Sequence, residues 1–203
     1  MTPAKTVSDR LIDSYLPAYD MVITERLVID ADPERVYQAA RDLDFMTVRT
    51  PLLSASFFVR GLPARLSGKS VPPPPQLRLA SDDPGLPGWV FLGERPGTEV
   101  AFGAVGKFWR PNIEWRDVDR DDFAGFAEPG WGKIACHFLV IDAGAGRSCL
   151  TYECRTATTD IRARQQMARY WWLIRPFVAH IMRATLRTIA ATARPRSAGA
   201  VSG

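Results

Sequence analysis

The sequence predicts an α+β fold in which an antiparallel sheet packs against one long C-terminal helix. Between Trp89 and Thr158 the chain runs in short β-rich stretches joined by turn residues. No helical crossover separates them, which excludes a doubly wound parallel sheet. From Ile161 to Ala193 the pattern changes. Met167, Trp171, Ile174, Val178, Ile181 and Thr185 recur at spacings of three and four, which is one helical face, and Tyr170 and Phe177 widen it.

The elements follow in order. Residues 1–18 read as a loose or short helical lead-in. Met21, Ile23, Leu27 and Ile29 share one parity of a first strand. Asp32, Pro33 and Glu34 supply an N-cap, a first-turn proline and a first-turn acid for a short helix over 32–43. A second helix is expected over 52–62, anchored by Leu53, Phe57 and Phe58. Residues 63–88 form a Pro/Gly-rich loop, with an unbroken run from Pro72 to Pro75 that cannot sit in a central strand. That run reads as a connector; a recognition motif for a Pro-binding module or a flap over a pocket are the alternatives.

Strands are then expected at 89–94, 99–109 and 113–118, at 123–126, and as a hairpin of 131–141 with 149–158 around Ala143-Gly144-Ala145-Gly146. Thr159-Asp160 caps the long helix, which Pro176 should kink near Trp172. A strongly curved sheet can wrap such a helix. Residues 19–193 thus form a single domain, and 194–203 a disordered tail.

At 203 residues, 46% hydrophobic and 24% charged, the chain has the make-up of an ordinary globular domain. The first thirty residues lack a signal-peptide pattern. Three cysteines (Cys136, Cys149, Cys154) are too few for a disulfide scaffold, so a reducing, cytoplasmic setting is expected. The apolar stretch after Tyr170 is interrupted by Arg175, Arg183 and Arg187. Each would cost about 2.5–3.5 kcal/mol at a bilayer centre, so it is not read as a span. Residues 161–203 carry eight arginines and no acid, against 18 basic and 22 acidic groups in the rest of the chain.

Several segments carry a family resemblance. They are Glu99-Val100-Ala101-Phe102-Gly103-Ala104-Val105-Gly106-Lys107-Phe108-Trp109-Arg110-Pro111; Phe126-Ala127-Glu128-Pro129-Gly130 with Lys133-Ile134-Ala135; Tyr152-Glu153-Cys154-Arg155; and Tyr170-Trp171 with Ile174-Arg175-Pro176. With the element order, they resemble bacterial members of unassigned function in the SRPBCC (START/Bet v 1-like) superfamily, over roughly residues 19–193. The resemblance implies a helix-grip fold: a curved antiparallel sheet around the C-terminal helix, with two short helices after the first strand. It also implies a hydrophobic cavity between sheet and helix that takes a lipid, polyketide, quinone or other apolar molecule. A minority of the superfamily does chemistry there, which makes a polyketide cyclase/dehydrase-like enzyme the alternative. A protein-interaction module using the basic helix is a third reading.

On that expectation, strand parity assigns the lining. Ile134, Cys136, Phe138 and Val140 should face inward, a choice that also avoids burying His137. Leu150, Tyr152, Cys154 and Thr156 share one face of the next strand. The expected cavity residues are Phe91, Phe102, Cys136, Phe138, Tyr152, Tyr170, Trp171, Ile174, Phe177 and Ile181, although each aromatic could equally be core. Glu153 and Arg155 either lie on the wet outer face or turn inward as a polar anchor for a ligand head group. With His180, near the edge of the apolar stripe, they are the candidate catalytic residues.

Other chemistry finds little support. Two histidines and scattered cysteines give no zinc spacing, and no metal or cofactor is expected. There is no nucleophile elbow. Gly103-Ala104-Val105-Gly106-Lys107 lacks phosphate-loop spacing and reads as room for close approach in a curved sheet. The arginine face is read first as solvated and balanced by acids such as Asp117, Asp119, Asp121 and Asp122. An anionic membrane surface is the second reading. Nucleic acid ranks last, since the aromatics are committed to packing. The sequence does not give the ligand or the oligomeric state.

Overall fold

In the computed structural model, residues 10–44 and 88–194 are described. The elements are α1 (Leu11–Tyr15), β1 (Met21–Ile29), α2 (Pro33–Arg41), β2 (Trp89–Arg95), β3 (Glu99–Lys107), β4 (Glu114–Arg116), α3 (Arg120–Phe123), β5 (Gly132–Gly144), β6 (Arg147–Thr158) and α4 (Ile161–Ala193). The expected helix at 52–62, the proline run and residues 195–203 lie outside the described residues.

Every strand pairing is antiparallel, in the order β1-β6-β5-β3-β2, with β4 hydrogen-bonded to β3. This curved sheet and its long terminal helix form the α+β helix-grip architecture. The β5–β6 hairpin closes on Ala145-Gly146, both at positive φ, as a two-residue turn matched to strand twist requires. Asp160 caps α4 by accepting from Ala163 N–H at 2.8 Å. Asp32 does the same for α2 through Arg35 N–H, with Pro33 in the first turn. No helix of the described residues is long and apolar enough to cross a membrane.

Where a strand was expected at 123–126, Phe123 ends the one-turn helix α3, which follows Asp119, and residues 124–125 form a turn. Phe123 is fully buried against Gly103, where an added Cβ would lie 2.8 Å from its ring. That contact is the close approach for which the β3 glycine leaves room.

Both faces of the sheet are covered. On one, α2 and α4 enclose a core of Ile23, Ile29, Val36, Tyr37, Phe102, Phe138, Leu150, Leu186 and Ile189. On the other, α1 and α3 cover Leu92, Ala101, Val105, Trp131 and Ala135 with Ile12, Leu16 and Phe123. β3 is buried along eight of its nine residues as a result.

Candidate functional site

Pro176 lies inside α4 without ending it; the helix runs all 33 residues, about 50 Å. The helix is held at its two ends. Ala163 and Met167 are buried near its start, and Met182, Thr185, Leu186, Ile189, Ala190 and Ala193 near its finish. Between Ala168 and Ile181 no residue is fully buried. In this half-buried middle Trp171, Val178 and Ala179 pack against the edge of the sheet core, whereas Tyr170, Ile174, Phe177 and Ile181 face an open space beside β6.

Under this half-buried stretch lies a cleft of about 370 Å³, lined by Tyr152, Cys154, Tyr170, Ile174, Phe177, Val178, Ile181 and Met182. Its volume falls within the range of small-molecule sites, about 300–1,000 Å³. β6 supplies the floor through alternate residues, and α4 supplies the roof at helical spacing. The phenols of Tyr152 and Tyr170 and the thiol of Cys154 are the polar groups of an otherwise apolar lining. Burial, with the neighbouring Cys136 and Cys154 and a hydrogen bond to Cys136, pushes the Tyr152 pKa well up. A larger recess of about 520 Å³ between α2 and the end of α4 is rimmed by Glu34, Arg35, Gln38, Asp42 and Asp44.

Of the ten expected cavity residues, Tyr152, Tyr170, Ile174, Phe177 and Ile181 line the cleft. Phe102, Cys136 and Phe138 are at most 2% exposed and belong to the closed core. There, ring centroids of Phe102 and Phe138 lie 5.6 Å apart, and those of Phe138 and Tyr152 4.5 Å apart. Phe91 and Trp171 pack against the edge of that core. Cys154, Val178 and Met182 were not named from the sequence, although Cys154 shares the parity of Tyr152 and Val178 belongs to the helix stripe. Cys136 and Cys154 stand directly opposite each other across β5 and β6, and all three cysteines are free.

The candidate catalytic residues are dispersed. His180 is half-buried and does not line the cleft. Glu153 and Arg155 lie on the far face of the sheet, so neither turns inward as a head-group anchor; nor is that face wet at their position. Arg155 is 1% and Glu153 6% exposed, beneath α1. The parity chosen for β5 holds, but it does not spare His137, which is fully buried on this same outer face.

These residues fall into two neighbouring hydrogen-bonded groups that both fasten α1. Arg155 Nε donates to Glu153 at 2.8 Å, while its Nη1 reaches Asp13 at 2.7 Å and the Leu16 carbonyl at 2.9 Å. Arg10 donates to Glu153 at 3.1 Å and to Asp13 at 3.1 Å. Glu99 accepts from Leu11 N–H at 2.8 Å and from His137 Nδ1. His137 Nε2 has no hydrogen-bond partner among the described residues. Burial works to raise the Glu99 pKa, but His137 and the Leu11 and Ile12 N–H groups together hold it below the usual glutamate range. Glu153 is likewise held low, burial being outweighed by Arg155 and Arg10. The sequence signal for this layer was β3 itself, apolar on both parities and therefore in need of two covers.

No family model matches the chain, and no curated protein does. Solved structures resemble it at low identity. A Chromobacterium violaceum protein is 15% identical, with 86% of this chain and 98% of that one covered and a TM-score of 0.38. A hypothetical protein from Helicobacter pylori is 11% identical, with 96% and 99% covered and a TM-score of 0.44. An aromatase/cyclase from Streptomyces sp. R1128 is 14% identical, with 89% and 99% covered and a TM-score of 0.33.

Proposed function

We propose that this chain binds an apolar or amphipathic small molecule, of lipid, polyketide or quinone-like character, in the cleft between β6 and the middle of α4. The observation that carries the proposal is the cleft beneath the half-buried middle of α4. Between the two buried ends of the helix about 370 Å³ is left over β6, lined by Tyr152, Cys154 and the inner residues of 170–182. Apolar walls supply affinity through surface removed from water, and the Tyr152 phenol would orient one oxygen of the ligand. The segments that resemble SRPBCC proteins, among them Tyr152-Glu153-Cys154-Arg155 and Tyr170-Trp171, contribute to both floor and roof.

Binding is favoured over a cyclase/dehydrase-like enzyme by the placement of the polar candidates. Glu153 and Arg155 are spent in the network on the opposite face, and His180 does not reach the cleft lining. Native mass spectrometry of the purified chain tests the proposal. An added mass that organic solvent extracts as a lipid-like molecule, and that Ile174→Trp abolishes, is the expected result. A bound mass that survives Ile174→Trp unchanged would place the ligand elsewhere.

A further inference from the structure

The outward side of the middle of α4 carries an unusual pair. Trp172 is 83% exposed and Leu173 70%, the two most exposed large apolar side chains among the described residues. Both stand on the crest of α4, one turn from Arg169 and from Pro176, on the side opposite the cleft. Arg162, Arg183 and Arg187 continue the same exposed stripe at helical spacing. α4 holds no acidic residue. The nearby carboxylates are taken by two of its arginines: Asp20 pairs with Arg164 at 3.0 Å, and Glu25 with Arg183 at 2.9 Å. Arg169, Arg175 and Arg187 make no ion pair among the described residues.

We infer that this crest docks on an anionic lipid bilayer, with the helix lying flat in the interface. Trp172 and Leu173 enter the headgroup–acyl boundary while the unpaired arginines meet lipid phosphates. An ordinary solvated helix face has no use for two adjacent large apolar side chains at its summit. Tryptophan, with a polar N–H on a broad apolar ring, and arginine, with a charged head on an apolar stem, are both suited to that boundary. From Arg169 to Arg187 the basic stripe runs about 27 Å, enough to engage several headgroups along one line. A protein partner is a poorer fit. Two side chains on a single convex helix offer far less apolar contact than the roughly 800 Å² per partner of a standard interface. The docking surface stands whether or not the cleft takes a ligand, because it uses the opposite side of the helix.

Co-sedimentation with vesicles tests it without any small molecule. The wild-type chain should bind phosphatidylcholine vesicles containing phosphatidylglycerol and not phosphatidylcholine alone, and added salt should weaken binding. Each basic residue near an anionic surface is worth roughly fivefold in partitioning, so the triple variant Arg169→Gln/Arg175→Gln/Arg187→Gln should lose about a hundredfold. Trp172→Ser/Leu173→Ser should lose at least about tenfold while melting like the wild type, since both side chains are exposed. Equal binding to both vesicle types, binding untouched by either variant, or no binding at all would overturn the inference. So would self-association through residues 172–173, or retention on nucleic acid, by a chain that ignores vesicles.

Discussion

The two faces of the sheet solve burial in opposite ways. The helix face is apolar and incompletely filled: α4 closes at its ends and leaves a cleft in the middle. The outer face is fully closed, yet it buries Glu99, His137, Glu153 and Arg155 beneath a helix of five residues. An apolar contact can be left open at small cost, whereas a buried charge must have its partner or the fold suffers. Unfilled space therefore lies where packing is non-directional. The ionic layer is the part of the molecule least free to change.

The largest expected effects test that division directly. Arg155→Met leaves Glu153 and Asp13 without their buried cation and should lower the unfolding free energy by about 3–5 kcal/mol in urea titration. Phe138→Ala, in the closed core between Phe102 and Tyr152, should cost a similar amount, about 3–5 kcal/mol. Phe177→Ala, at a half-buried position over the cleft, should cost far less. Equal losses for Phe138→Ala and Phe177→Ala would mean that the helix face is uniformly packed.

Glu99→Gln is expected to act more locally. Leu11 and Ile12 lose a charged acceptor and His137 its partner, a change of about 1–3 kcal/mol. Hydrogen exchange should quicken over residues 10–16 and stay unchanged at Tyr152 and Ile174. Exchange that quickened equally on both faces would show the network to be a global clamp rather than the fastening of α1.

The faces should also differ in pH response. Glu99 and Glu153 have pKa values depressed below the ordinary 4.5, so the unfolded chain binds more protons as pH falls. Their stabilisation is present above 4.5 and is lost as pH drops below it toward the folded values. On the helix face, burial raises Cys136 above the ordinary 9.0 and Tyr152 above the ordinary 10.0. There the unfolded chain ionises first, and stability is lost as pH rises through 9 and 10. Glu99→Gln/Glu153→Gln should flatten the acid limb of a stability–pH curve, and Tyr152→Phe should soften the alkaline one.

Much of this was legible in the chain. The limits of β1 and α4, the parities of β5 and β6, and the Asp160 cap follow from period, β-branching and capping chemistry, all of which are local. The closed outer face was not legible, because its cover is Ile12 in a five-residue helix and Leu16 just after it, too short a stretch for periodicity to register. With that cover missing, Glu153 and Arg155 read as either wet or turned toward a ligand, and His137 as spared burial. The half-buried middle of α4 was hidden for a different reason. The apolar stripe from Met167 to Thr185 is continuous, and only the curvature of the sheet decides which part of it touches. Half of the expected cavity residues accordingly proved to be core or core edge.

The most direct test of the account is a titration of the apolar fluorophore N-phenyl-1-naphthylamine into the wild-type chain, Ile174→Trp and Glu99→Gln. Saturable one-site binding is predicted for the wild type and Glu99→Gln, weakened at least about tenfold by filling the cleft with Ile174→Trp, a difference of about 1.4 kcal/mol. Binding that Ile174→Trp leaves intact, or that Glu99→Gln abolishes while the chain stays folded, would contradict a site between β6 and α4.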